Sequence, residues 1–224
     1  IGGASVAVTL EPPALGSVPA TVDVLADALL ATFTFTAASS AQSGQVRASL
    51  GGDVSADVDV VDPGAFTVDL AGYRLEQTSA TQSFTVPQGT VVPVGGTLII
   101  ARSAAAGPFA TFWGVTLPGN AVVVNSGDRC PQLNGDETYT FKDASGAVVD
   151  GPTIAIDVGQ YLSRSAPGAD PSVPASWTVR DLTAGAPDPG TPPAGGSGCF
   201  ISEVSDATGN GNFIYEFVEI TCAP

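Results

Sequence analysis

The chain has 224 residues, 44% of them hydrophobic, enough to bury a core in one large β domain or two smaller ones and too much for a disordered polymer. Seven Lys and Arg stand against 22 Asp and Glu, for a net charge of −15, so a phosphate backbone is repelled and nucleic acid is excluded as a partner. Histidine is absent, which removes His-dependent triads, imidazole metal sites and His general bases.

The 27 Gly, the 18 Pro and the short β-branched runs between them predict an all-β protein. Residues 1–62 carry VAVTL, ATFTFTA, QVRASL and DVSADVDVV, and the alternation in TFTFT and DVDVV marks half-buried strands. The one helix-like run, Val22 to Ala31, leads straight into TFTFT and reads as strand. Four strands are thin for an independent sandwich. This N-terminal β-module is therefore expected to pack against the next module or a neighbouring subunit.

From Asp62 a turn, DPG, leads into FTVDLAGYRL, and then SFTVPQGTVVPVGGTLIIAR places two Pro/Gly turns around strands. FATFWGVTLP, AVVVN, ETYTFKD and AVVDGPTIAI continue as short antiparallel strands at sandwich-like spacing. Residues 161–180 read as an irregular closing stretch whose Tyr161 and Trp177 cover an open end. AGAPDPGTPPAGGSG, residues 184–198, is a linker stiffened by proline and hinged by glycine. Residues 199–224 hold two strands around a Gly/Asn loop. A hairpin with an apolar face does not stand alone in water, so this one completes a sheet elsewhere.

Cys199 precedes the first of these strands and Cys222 follows the second, so antiparallel pairing brings them opposite one another. A Cys199–Cys222 disulfide is expected, in an oxidising compartment. Cys130 is left over, either buried or bonded to another chain. The chain starts at Ile1 and contains no methionine. It reads as a processed product, secreted or at the cell surface. No apolar run reaches the ~20 residues of a membrane span, so direct membrane insertion is not expected.

Few groups suggest chemistry. Asp136 with Glu137, and Asp57 with Asp59, fall in turns or on solvent faces, and no nucleophile elbow or phosphate loop occurs. An enzyme is not expected, and no cofactor is implied. Asp206, Thr208 and Asn210 alternate before Gly211 like the start of a calcium loop, but Phe217 stands where the closing acid belongs, so an ordinary hairpin loop is the preferred reading and Ca²⁺ the lesser one. Phe109, Phe112 and Trp113 in GPFATFWG are the best aromatic candidates for a ligand, against core packing as the simpler role.

VDLAGYRL (68–75), VPQGTVVPVGGTLIIAR (86–102), LNGDETYTFKDASGAVVD (133–150) and the trio Tyr161, Arg164 and Trp177 resemble the lamin tail domain, an immunoglobulin-like β-sandwich. The resemblance covers residues 62–183. In that family two strands resembling ISEV and YEFVEI come first, directly before the equivalent of VDLAGYRL; here they come last, as in a circular permutation. The resemblance thus implies a sandwich body, residues 63–183, that lacks two strands which the hairpin can supply. Supplied to a neighbour, they join subunits head to tail into an extracellular filament or surface assembly, with Ile201, Val204, Phe217 and Ile220 setting the register. Supplied to their own body, they close a cell-surface or secreted binding or adhesion module for a glycan or protein. A third reading makes the hairpin the opening of another repeat in a tandem array. The filament reading is preferred.

Overall fold

A computed structural model describes residues 3–28, 30–37, 44–51, 54–60, 67–78, 82–165, 167–193 and 195–223. The chain divides into two compact units, Ile1–Phe66 and Thr67–Pro224. The DPGAF turn at residues 62–66, where the sequence suggested the boundary, lies outside the described residues.

The first unit contains β1 (Ala4–Glu11), β2 (Gly16–Ser17), β3 (Thr21–Val24), β4 (Thr36–Ala37), β5 (Gly44–Leu50) and β6 (Val54–Val60). Four of them form an antiparallel sheet in the order β3-β1-β5-β6, and β2 pairs with β4. Val8, Leu10, Leu15 and Val46 are buried together, with Val18, Val22 and Phe35 against them. That core is small, and it leaves Leu25, Leu30, Phe33, Leu50 and Val58 exposed. Cross-strand partners Arg47 and Asp57 meet at 2.8 Å on the polar side. ATFTFTA is not the strand its alternation predicted. Only Thr36–Ala37 pairs, because the run has no long neighbour to ladder with and Phe33 stays in solvent. Likewise the helix-like run is strand only at its start, where Val22 to Val24 lie in β3.

The second unit contains β7 (Thr67–Asp69), β8 (Arg74–Gln77), β9 (Ser83–Thr85), β10 (Val91–Pro93), β11 (Gly96–Ala101), α1 (Ala106–Trp113), β12 (Ala121–Asn125), β13 (Tyr139–Lys142), β14 (Val148–Asp150), β15 (Gln160–Arg164), β16 (Trp177–Asp181), β17 (Gly198–Ser205) and β18 (Phe217–Ala223). A six-stranded sheet runs β12-β11-β18-β17-β15-β16, a four-stranded sheet β14-β13-β8-β9, and β10 pairs with β7. The two larger sheets share one core: Leu75, Phe84, Tyr139 and Phe141 from the smaller pack with Leu98, Ile100, Leu162, Ile201, Val218 and Ile220 from the larger. The protein is all-β, with one short helix.

That helix corrects the sequence reading, which made FATFWG a strand. Phe109 and Trp113 are four residues apart and so share one helix face, Pro108 is tolerated in the first turn, and Gly114 ends the helix in the left-handed conformation at φ 67°. α1 carries the chain back over the sheet, so β12 lies parallel to β11 rather than antiparallel. The stretch 161–180 is also more regular than expected. It supplies β15 and β16, which pair from Gln160↔Asp181 to Arg164↔Trp177.

Close backbone approach explains Gly96. A Cβ there would collide with the Asn120 carbonyl oxygen, where β12 begins beside β11.

Candidate functional site: the C-terminal hairpin and its strap

β17 and β18 pair from Gly198↔Ala223 to Ser205↔Phe217, and Cys199 and Cys222 are joined by the expected disulfide. The hairpin occupies the middle of the six-stranded sheet of its own chain. β18 ladders onto β11 from Gly96↔Cys222 to Ala101↔Phe217, and β17 onto β15 from Tyr161↔Ser205 to Ser163↔Glu203.

Ile201, Val204 and Ile220 point into the shared core, fully buried. Phe217 does not join them. Strand alternation puts Phe217, Glu219 and Thr221 on the opposite face, and Phe217 packs with Ile99, Ala101 and Phe109 beneath α1, while Val218 takes the inward place. The Phe109 ring meets Phe217 edge-on at 5.3 Å. Trp113 Nε1 donates to the Tyr215 carbonyl at 3.2 Å, and Phe112 stacks on Tyr215 with centroids 4.1 Å apart. The three aromatics singled out in the sequence thus bind α1 to the hairpin.

Polar ties hold both ends. Asp150 Oδ2 accepts from Arg164 Nη1 at 3.2 Å and from the Ile201 N–H at 2.8 Å, while the Arg164 guanidinium also donates to the Ala169 carbonyl and lies 4.8 Å over Trp177. At the other end Glu216 Oε2 accepts from Arg102 Nη1 at 3.1 Å and from the Leu133 N–H at 2.9 Å. Burial pushes the Glu216 carboxyl up to about 7, against the pull of those donors. Asp206 is equally committed: its oxygens accept the N–H groups of Gly159 at 2.6 Å and Ala207 at 2.7 Å. Among the described residues no group of three or more His, Cys, Asp or Glu is arranged to hold a metal ion.

Residues 184–193 do not hang free as a linker. They cross the outer face of the six-stranded sheet as a strap. A Cβ on Gly185 would stand 3.1 Å from the Tyr161 hydroxyl, and one on Gly190, at φ 90°, would be 2.8 Å from Pro118 Cδ. Between these points the strap meets two carboxylates. Glu203 Oε1 accepts from the Asp188 N–H at 3.3 Å and from Ser163 Oγ at 3.1 Å; Glu219 accepts from the Gly190 N–H and, at 2.6 Å, from Ser202 Oγ. Burial raises both, Glu219 to about 7 and Glu203 well above the ordinary range, the latter also because Glu219 and Asp188 stand close.

Glu137 departs from its expected solvent position. It is 3% exposed, and its Oε1 accepts the Asn134 N–H at 2.9 Å. Asp57 and Asp59 remain on the exposed face, bonded to Arg47 and Gln45. Cys130 is buried in the shared core and cannot reach another chain there; burial pushes its thiol up to about 12. Among the described residues no helix is long and apolar enough to cross a membrane.

Comparison with protein-family models, with curated proteins and with solved structures finds nothing that matches.

Proposed function

We propose that this chain is a non-catalytic extracellular protein in which the hairpin closes the sandwich of its own chain, giving a closed surface or secreted binding or adhesion module. The observation that carries this reading is the double seating of the hairpin: β18 on β11 and β17 on β15, with the strap laid across the same strands. The disulfide fits an oxidising setting. The insertion of the hairpin between β11 and β15 also fits the permuted lamin-tail-like arrangement, whose missing strands it would replace. Asp150, Asp206 and Glu216 are spent on backbone and arginine donors, which favours architecture over catalysis.

A second reading keeps the same pairings but draws the hairpin from a neighbour, so that head-to-tail exchange builds a filament. It is favoured by the 14 residues of 184–197, which reach up to ~50 Å when extended. Light scattering and negative-stain electron microscopy over a range of concentrations separate the two. The closed module stays monomeric. Fibres that disappear on deletion of residues 199–224, with the truncated body refolded by that peptide added in trans, would establish exchange instead.

A further inference from the structure

Glu203 and Glu219 are direct cross-strand partners, and a bulge between Ile201 and Glu203 turns Ser202 toward the same face. Like charges directly opposite on neighbouring strands repel, and here the pair is also 3% and 1% exposed. Beside it lies a pocket of about 210 Å³ lined by Ser163, Arg164, Asp188, Ser202 and both glutamates. The strap forms the roof, and among the described residues the Asp188 and Gly190 N–H groups are its hydrogen-bond anchors to the pair.

We propose that residues 184–193 are a proton-latched strap, docked across β17 and β18 while the Glu203–Glu219 pair holds its protons and lifted from them when the pair ionises. A neutral pair is tolerated in a dry site and accepts the two strap N–H bonds. Two carboxylates there, with Asp188 as a third, need water, and lifting the strap admits it. Compensation is partial: the Ser163 hydroxyl donates to Glu203 and the Ser202 hydroxyl to Glu219, while the Arg164 guanidinium bonds Asp150 and the Ala169 carbonyl. Arg180 and Tyr161 line the adjoining pocket with Asp188. β11 sets Ile99 opposite Glu219, and α1 has no titratable side chain. The Glu219 carboxyl, raised by burial to about 7, places its ionisation near neutral pH, and burial raises the Glu203 carboxyl as well. The strap responds in this way whether or not the closed-module reading is correct.

Hydrogen exchange of the intact protein from pH 5 to 9, corrected for the intrinsic pH dependence of exchange, tests the latch. Protection of residues 184–193 should fall by up to ~tenfold per pH unit above the onset of ionisation, with the amides of β13 unchanged. Glu219→Gln, and Glu203→Gln with Glu219→Gln, should flatten that profile. Uniform protection of the strap across the range in the unaltered protein would overturn the proposal. So would a folded Gln variant whose strap opens with the same pH dependence.

Discussion

Asp150 and Arg164 meet at 3.2 Å inside the sandwich, and the oxygen that joins them also accepts the N–H of Ile201. One carboxylate therefore fastens β14, β15 and β17 together. Asp150→Ala leaves Arg164 buried at 3% exposure without that partner. The expected loss is ~3–5 kcal/mol in denaturant unfolding, with early exchange at the Ile201 amide. A loss below ~1 kcal/mol would show that the tie is incidental.

The disulfide closes a loop across a separation of 23 residues. Cys199→Ser with Cys222→Ser should cost ~3 kcal/mol, chiefly through the freedom restored to the unfolded chain. Cys130 gives an independent reading on the same protein. An aromatic disulfide reagent should find no reactive thiol in the native, unreduced form and one after unfolding.

Stability should decline as pH rises from about 5 toward 8. A carboxyl raised in the fold binds its proton more tightly there than in the unfolded chain, so its contribution is complete below the unfolded pKa of 4.5 and is lost as pH passes the folded value of about 7. For Glu219 the difference is on the order of 3 kcal/mol. Asp57, Asp143 and Asp170 are lowered instead, each first by a side-chain hydrogen bond, to Arg47, Ser145 and Ser172 respectively, and act oppositely at the acid end. Urea midpoints from pH 4 to 9 check this. Glu219→Gln should remove part of the slope on the alkaline side and leave the acid side alone.

Ile220→Ala and Phe217→Ala test the two faces of β18. Each empties a fully buried site, and losses of ~2–5 and ~3–5 kcal/mol are expected. Their exchange signatures should differ. Phe217→Ala loosens α1 first, since that side chain packs on Phe109 and Trp113, whereas Ile220→Ala loosens both sheets. Gly96→Ala should also destabilise, because its Cβ meets a backbone carbonyl that cannot swing aside.

The sequence shows the strand content, the hairpin and its disulfide because each rests on local signals: alternation, turn residues and the register that sets Cys199 opposite Cys222. Alternation also separates Val204 from Glu203 and Ile220 from Glu219, but Ile201, two residues before Glu203, reaches the other face only through the bulge between them. It cannot show that the second face is covered. A period of two reports which residues share a side, and polar residues there read as solvent-facing until α1 and the strap are placed over them. The side that Phe217 takes is equally hidden from local pattern, since an apolar residue fits under either cover. The helix was legible in principle. Phe109 and Trp113 sit at i and i+4 and Gly114 follows, but a short aromatic run resembles a strand when its length is ambiguous. The course of the strap depends on long-range contacts with Tyr161 and Pro118 that no local pattern encodes.

β17 and β18 come after both of their sheet neighbours in chain order, yet they occupy the centre. Until they arrive, β12-β11 and β15-β16 are two separate ribbons, each with an apolar face and a bare inner edge. During synthesis the sheet cannot grow outward from a finished middle. It has to wait for its keystone, and the interval before that insertion is when the chain is most open to pairing with a stranger.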